Sequence, residues 1–421
     1  MGLRGFAVGV VLGSTLAAAG AAAELRGHGG AIRALAVDPS GQVLTGSFDT
    51  RAILWDPATG AAEQVMRLHE GSVTAVAFLP DGGLVTGGQE GRIAVWRSGE
   101  TDPEVVFEVH AGPVTALAVT ADGDRIASSA WDGTAQITGV GGAPTLVLDG
   151  HDDNVNGVAF RPDGGLVTAG YDGQLRLWTP DGRAEGVISA GVPLNALAVT
   201  PDGSIWVVAA DGTLRAFDPR GVPAGTVALS EAPLVALAVA ADGFAVAAGA
   251  IDGTVVVVDA ATLAVVQAIR ASSGPVWSVG FRPDGAILAG GADNVVRPWD
   301  AVTGAPLGET REAAAGDALG ESRGAQVFRM CSACHTLDPD DGNRAGPTLH
   351  GIFGRPIATA KGFAYSEALT DLDIVWTPET VARLFEIGPN AMTPGTSMPE
   401  QRIADPEDRA ALIEFLQEHT R

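Results

Sequence analysis

Cysteine and basic side chains are scarce in this sequence of 421 residues. It contains two cysteines, and Lys361 is its single lysine. Fifty acidic side chains stand against 26 lysines and arginines, so the formal net charge at pH 7 is −24. Binding to nucleic acid needs a basic face that neutralises phosphates. The charge therefore argues against nucleic acid as a partner.

Aromatic residues make up 5% of the chain, whereas glycine and proline are abundant, with 57 and 25 residues. The chain is long enough for two or more domains. Its many turn-forming residues favour a turn-rich architecture over a helical bundle.

The two cysteines lie together in the segment Cys331-Ser332-Ala333-Cys334-His335. Two thiols in C-x-x-C spacing followed at once by histidine are typical of a c-type haem attachment site, in which Cys331 and Cys334 form thioether bonds and His335 ligates iron. A disulfide or a thioredoxin-like redox pair is the alternative, but neither requires that histidine or a methionine ligand downstream. The sequence predicts one covalently bound haem c.

The N-terminal segment, residues 1–23, carries one positive charge at Arg4, then an apolar run, and three alanines before Glu24. This pattern predicts a secretory signal peptide that is cleaved after Ala23, and hence a periplasmic location. An uncleaved anchor is the alternative, although the run is short for a membrane span. No membrane span is expected after cleavage.

An internal repeat of about 41 residues occupies residues 24–310. Four histidines mark it at intervals of 41 residues: His28, His69, His110 and His151. Gly-containing turns extend the repeat to seven units. Each unit has short segments in which apolar and polar residues alternate, and none has helical periodicity. This pattern predicts one four-stranded β-sheet per unit.

The segments from Gly27-His28 to Trp55-Asp56 and from Gly150-His151 to Trp178 resemble the WD40 repeat. The resemblance implies an all-β, seven-bladed propeller over residues 24–310, with His28, Asp49 and Trp55 hydrogen-bonded within one blade. Units five and six have no such histidine and carry Phe217 and Val258 in place of the tryptophan. We expect packing rather than polar networks to hold the later blades together.

The WD40 resemblance also suggests a role for the residue just before the turn aspartate. In that family, this preceding residue lies on the partner-binding face. This position holds Phe48, Trp131 and Tyr171 in three of the first four units. We call these three residues the aromatic patch and predict that they bind a partner, because aromatic side chains supply rigid contact area. Shielding of the blade edges is the alternative.

The junction between the two halves of the chain is short. Residues 305–310 align with the outer strand of earlier units, and few residues precede the first unit after cleavage. We therefore expect residues 305–310 to close blade seven and residues 311–319 to form a linker.

Residues 320–421 show helical periodicity and resemble class I cytochrome c of the mitochondrial and bacterial c2 type. The resemblance implies a small all-α domain whose first and last helices cross and bring Phe328 near Leu412 and Phe415. It also fits the predicted export, because thioether attachment in bacteria occurs outside the cytoplasm.

The same resemblance implies a second iron ligand in the segment Pro394–Pro399. Met398 is the predicted ligand, and Met392 is its competitor. Pro347 would accept the N–H of His335, Arg355, Tyr365 and Trp376 would bind the haem propionates, and Thr396 belongs to the methionine loop. All these residues lie within 320–421, so we expect the haem domain to be self-contained.

Histidine and methionine ligation suits an electron carrier rather than an open catalytic haem. The sequence therefore predicts a periplasmic monohaem cytochrome that transfers single electrons to a redox partner protein, with no catalytic residues and with the propeller as a docking platform. The alternative is an oxidoreductase whose propeller binds substrate and whose haem accepts the electrons.

Overall fold

The computed structural model describes residues 23–142, 145–308, 322–329, 331–332, 335–337, 346–361, 363, 365, 367–394, 396, 398 and 402–420. Residues 1–22 of the predicted signal peptide lie outside this range. The linker predicted at 311–319 and Cys334 lie outside it too.

Seven four-stranded antiparallel sheets form the N-terminal part of the chain. Blades one to three contain β2 (Ile32–Val37), β3 (Val43–Ser47), β4 (Arg51–Asp56), β5 (Ala61–Arg67), β6 (Val73–Phe78), β7 (Leu84–Gly88), β8 (Arg92–Trp96), β9 (Val105–Glu108), β10 (Val114–Val119), β11 (Arg125–Ala130), β12 (Ala135–Gly139) and β13 (Leu146–Leu148). Blades four and five contain β14 (Val155–Phe160), β15 (Leu166–Gly170), β16 (Gln174–Trp178), β17 (Ala184–Ser189), β18 (Leu194–Val199), β19 (Ile205–Ala209), β20 (Thr213–Phe217) and β21 (Pro223–Ala228). Blades six and seven contain β22 (Leu234–Val239), β23 (Ala245–Ala250), β24 (Thr254–Asp259), β25 (Val265–Arg270), β26 (Val276–Phe281), β27 (Ile287–Gly291) and β28 (Val295–Trp299), with β1 (Leu25–Arg26) as the outer strand of blade seven.

The second strands of the blades are almost entirely buried. All five residues of β3 and of β7 are buried, because neighbouring blades pack on both faces of the sheet. The innermost strands line a central channel, and polar side chains there join consecutive blades. Asn156 donates to the carbonyl of Leu194 at 2.9 Å, and Asn195 donates to that of Leu234 at 2.8 Å. The predicted seven-bladed propeller is confirmed.

Blade seven closes through the N-terminal strand, so the closure predicted for residues 305–310 is wrong. In β1, Leu25 pairs with Val296 in β28, and the carboxylate of Glu24 lies 3.1 Å from the guanidinium of Arg297. The C-terminal side adds one bridge, between Trp299 and Pro306. Leu25 is buried, and Leu25 and Arg26 take the outer-strand positions beside Val296 and Val295. This leaves Pro306 a single bridge at the end of β28, flanked by a 2.9 Å hydrogen bond from the Leu307 N–H to the carbonyl of Pro298.

A hydrogen-bonded chain of four side chains holds blade one together. Trp55 Nε1 donates to Thr45 Oγ1 at 2.7 Å, Thr45 Oγ1 lies 2.8 Å from His28 Nε2, and His28 Nδ1 lies 3.0 Å from Asp49. Burial alone would raise the pKa of Asp49, but the charge of His28, its hydrogen bond and Arg51 together lower that pKa below its usual value. The WD40 resemblance implied three of these residues, and Thr45 completes the chain.

The later blades depend more on packing, as the sequence predicts. Blade four repeats the network, with Trp178 Nε1 donating to Thr168 at 3.0 Å. In blade seven, by contrast, the indole nitrogen of Trp299 is buried and has no hydrogen-bond partner among the described residues. Asp293 of that blade pairs with Arg297 instead.

Trp55 and Trp299 occupy equivalent strand positions and allow a matched test. Trp55→Phe removes a buried indole donor and leaves Thr45 with one partner fewer, so we expect it to cost about 1–2 kcal/mol more than Trp299→Phe. Urea unfolding of both variants measures the difference. Equal losses would show that the hydrogen bond contributes no stability beyond the packing of the ring.

The described helices all lie in the C-terminal unit, which we define as the described residues from 322 to 420. They are α1 (Arg323–Phe328), α2 (Glu367–Thr370), α3 (Pro378–Ile387), α4 (Pro389–Met392) and α5 (Pro406–His419). Ser322 caps α1, a reciprocal pair of Thr377 and Thr380 caps α3, and Asp405 caps α5. Within the described part of the chain, no helix is long and apolar enough to cross a membrane.

Helices α1 and α5 cross at a glycine. A Cβ on Gly324 would clash with the carbonyl of Ala411 and would lie 2.6 Å from Cβ of Phe415, so only glycine lets the backbones approach this closely. The rings of Phe328 and Phe415 lie 5.3 Å apart, and Leu412 is buried in the same core. This is the crossing that the class I resemblance implies.

Candidate functional site

A cavity with largely apolar walls is lined mainly by residues of the C-terminal unit. Its volume is about 1140 Å³, including the open solvent at its mouth. The cavity is lined by the predicted site residues that the structure describes, namely Cys331, His335, Pro347, Arg355, Tyr365, Trp376, Thr396 and Met398. Cys334, the other predicted attachment residue, lies outside the described residues.

The loop before α2 fixes the orientation of His335. Nδ1 of the ring donates to the carbonyl of Pro347 at 2.7 Å. This hydrogen bond sets the tautomer and leaves the lone pair on Nε2, the atom that can then ligate iron. Gly346 packs flat against the ring, since a Cβ there would lie 2.8 Å from Nδ1 and 2.9 Å from Nε2.

Met398 contributes a thioether to the cavity wall. Its backbone N–H donates to Oγ1 of Thr396 at 3.1 Å, so Thr396 shapes the loop that presents Met398. Met392 packs against the same hydrophobic core but is not among the residues that line the cavity. The geometry therefore favours Met398 over Met392 as the second ligand.

The cavity has a polar edge. It is formed by the residues predicted to bind the haem propionates, namely Arg355, Tyr365 and Trp376. Arg355 donates to the carbonyls of His350 at 3.1 Å and Thr348 at 2.6 Å. Burial lowers the pKa of Arg355 and raises that of Tyr365, and attraction between the two groups opposes both shifts. A guanidinium and a phenol hydroxyl at one edge of an apolar cavity suit a ligand that carries carboxylates there.

These residues fit a haem c. The cavity brings together a thiol at Cys331, an imidazole held in one tautomer, a thioether and apolar walls, which is the donor set that a low-spin c-type haem uses. Cys331 and Cys334 would hold the porphyrin, and His335 and Met398 would ligate the iron. Arg355 would lie near the haem propionates.

Two residues of the propeller also line this cavity, which corrects the expectation of a self-contained haem domain. They are Arg51 and Arg67 of blade one. The guanidinium of Arg67 lies 4.7 Å from the centre of the Phe363 ring of the C-terminal unit. Sequence reasoning restricted to residues 320–421 could not find them. The signal was present in blade one, where two arginines occupy paired strand ends.

The aromatic patch is exposed on the propeller. Phe48, Trp131 and Tyr171 have 47%, 54% and 46% of their surface accessible, values that exclude a core role. The blade histidines, by contrast, are engaged inside the blades. His151, for example, lies 2.9 Å from Asp172 and 2.8 Å from Thr168.

Comparison with known proteins identifies the C-terminal unit. The family model "Cytochrome c" matches residues 321–420. A cytochrome c from Arabidopsis thaliana is 39% identical over 100 residues, which cover 88% of that protein and 24% of this chain. The chain belongs to the cytochrome c family. It does so through its C-terminal quarter, which we now call the cytochrome c domain. A cytochrome c2 from Blastochloris viridis is 41% identical over 106 residues, or 80% of its length and 25% of this chain.

The remainder of the chain matches WD40 repeats. The family model "WD domain, G-beta repeat" matches residues 21–56, 61–97, 101–137, 142–179 and 264–300. Units five and six, which lack the histidine and the tryptophan, lie between the last two matches. The solved WD40 beta propeller domain of Doa1 superposes with a TM-score of 0.60 and 22% identity, covering 66% of this chain and 95% of that one. At that identity the likeness shows the fold alone.

Membership in the cytochrome c family implies a covalently bound haem c and a redox partner, and it indicates electron transfer. The WD40 propeller is the additional module that distinguishes this chain from the small cytochromes it resembles.

Proposed function

We propose that this protein is a periplasmic monohaem electron carrier whose WD40 propeller docks the redox partner. The observation that carries the proposal is the lining of one cavity by both His335 and Met398, beside the attachment residue Cys331. Two protein ligands complete the coordination of haem iron and suit transfer of electrons rather than binding of substrate at the metal.

The chain's own residues prepare the site for that role. Haem, when bound, supplies reversible one-electron chemistry. Pro347 holds the proton on Nδ1 of His335, so the imidazole binds as the neutral tautomer. Apolar side chains, including Leu384 and Leu412, exclude water, which favours the less charged reduced state. Thr396 positions the loop that carries Met398.

The periplasmic location rests on residues 1–23 and on the attachment chemistry. The single arginine, the apolar run and the alanines before Glu24 have the order of a secretory signal. Formation of thioether bonds in bacteria requires export of the polypeptide, so the signal and the haem motif support each other.

The docking role rests on the aromatic patch and on charge. Its three side chains lie in the turns that join the second and third strands of blades one, three and four. The chain has a net charge of −24, so a partner with a basic surface is favoured at long range. Rigid aromatic groups on an acidic chain suit a basic redox protein.

One haem per chain is the expected stoichiometry, because the sequence has one C-x-x-C-H segment and two cysteines. A pyridine haemochrome assay against protein concentration should give a ratio of about one. The haem should also stay with the protein in acidified acetone. A ratio near two, or extraction of the haem, would contradict covalent attachment at this segment.

Replacing Trp131 and Tyr171 with alanine tests the docking role. We expect partner binding to weaken by about 2 kcal/mol or more, with an unchanged haem spectrum, because such anchors dominate interface energies. Partner binding should also weaken as salt rises. Titration with the partner captured from periplasm measures both effects.

Phe244→Ala is the matched control. Phe244 is 73% exposed but lies in a turn between a first and a second strand, at the opposite end of its blade from the aromatic patch. If Phe244→Ala weakens binding as much as the double variant does, the aromatic patch is not the docking surface.

A further inference from the structure

Blade one pairs two arginines where its neighbour pairs opposite charges. Arg51 at the start of β4 faces Arg67 at the end of β5. At the same position in blade two, Arg92 faces Glu108, and their side chains lie 3.4 Å apart. Like charges directly opposite each other destabilise a sheet, whereas opposite charges stabilise it. Blade one therefore departs from the charge pairing of its neighbour.

The pair lies at the junction with the cytochrome c domain. Both arginines line the haem cavity, Arg51 is 4% exposed, and Arg67 stacks over Phe363. Tyr365 interacts electrostatically with both Arg67 and Arg355. Arg67 thus lies on the same side of the cavity as Arg355, the residue implied to bind the propionates.

Arg67 carries a positive charge at neutral pH. Burial and the neighbouring Arg51 lower the pKa of Arg67 to about 10, while Asp49 and Tyr365 oppose that shift. A pKa of 10 leaves the guanidinium protonated at pH 7. Asp49 is itself engaged by His28 in the blade network. The propeller therefore contributes positive charge to a cavity with largely apolar walls.

We propose that Arg51 and Arg67 are positioning residues supplied by the propeller for the carboxylate edge of the haem, where they act beside Arg355. The inference rests on the proposed haem binding and extends it to the propeller. Charge-assisted hydrogen bonds from guanidinium to carboxylate are strong and directional. They join blade one to the cytochrome c domain, and their positive charge favours the reduced haem. The propeller therefore sets the reduction potential in addition to docking a partner.

The reduction potential of the full-length haem protein tests this inference. We expect the Arg51→Gln, Arg67→Gln double variant to have a lower midpoint potential, with the ratio of reduced to oxidised protein at fixed potential falling roughly tenfold, which is about 59 mV for one electron. Arg67→Lys, which keeps the charge, should retain most of the wild-type potential. The pH dependence of the potential should also change, because the propionates lose cationic partners.

Arg92→Gln is the matched control, since Arg92 occupies the equivalent strand position in blade two and lies outside the cavity lining. It should leave the potential unchanged. If the double variant does not fold because Arg51 is buried, the reduction potential of Arg67→Gln alone tests the inference, since Arg67 is only partly buried.

Failure of the proposed function and failure of this inference give different results. A wild-type chain without covalent haem would overturn the proposed function. Covalent haem with the same potential and the same pH dependence in wild type and Arg67→Gln would overturn the inference alone.

Discussion

Replacing Met398 with alanine should lower the reduction potential, open the sixth coordination position and allow carbon monoxide to bind the reduced protein. Under the proposed ligation, the thioether of Met398 would stabilise reduced iron, and its loss would leave His335 as the remaining protein ligand. Axial ligands set haem potentials over a range of roughly 0.8 V, so we expect a fall on the order of 0.1 V or more. Potentiometry and a carbon monoxide difference spectrum measure the two effects.

Met392→Ala is the control for this variant. Met392 packs in the same hydrophobic core but does not line the cavity, so its replacement should cost stability and leave the haem spectrum intact. Rapid binding of carbon monoxide by the wild-type protein would contradict ligation by Met398, as would the absence of a sulfur-to-iron charge-transfer band.

Local motifs made much of this architecture predictable. The haem motif lies within five consecutive residues, from Cys331 to His335, so its chemistry does not depend on a distant contact. The propeller was predictable because its period repeats seven times, and each unit buries its strands against neighbours of the same kind. Substitutions within the repeat, such as Val258 for tryptophan, also indicated which blades depend on packing.

Contacts between segments far apart in sequence were not predictable in this way. Closure of blade seven depends on which segment pairs along β28, and Leu25 and Arg26 occupy the positions beside Val296 and Val295. Pro306 is left with one bridge to Trp299, and no local motif indicates this division. Thr45 was missed because threonine is common in strands, and its role depends on lying between His28 and Trp55.

The two propeller arginines illustrate the same limit. Arg51 and Arg67 are 16 residues apart and have no motif, and the residues they meet lie about 300 positions further along the chain. Their pairing across β4 and β5 follows from the WD40 register. The reason for placing two like charges there depends on how the two domains pack, which no repeat pattern encodes.

Replacing Gly346 with alanine should disable the haem site although no proposed iron ligand is replaced. The added Cβ would lie 2.8 Å from Nδ1 and 2.9 Å from Nε2 of His335, closer than real Cβ contacts allow. The ring must move, and its 2.7 Å hydrogen bond to Pro347 is then lost. Loss of such an orienting partner costs roughly 10- to 100-fold in metal binding. We therefore expect the affinity of the His335 imidazole for the haem iron to fall by about that factor.

Gly351→Ala separates this steric effect from backbone strain. Gly351 has a φ of 63°, but its Cβ would meet no atom within 4 Å, so alanine should cost about 1–2 kcal/mol in stability and leave His335 in place. Covalent haem per chain and the absorption spectrum of the reduced protein compare the two variants. If Gly346→Ala binds haem with the wild-type spectrum and potential, the imidazole does not occupy the position described, and the axial role of His335 must be reassigned.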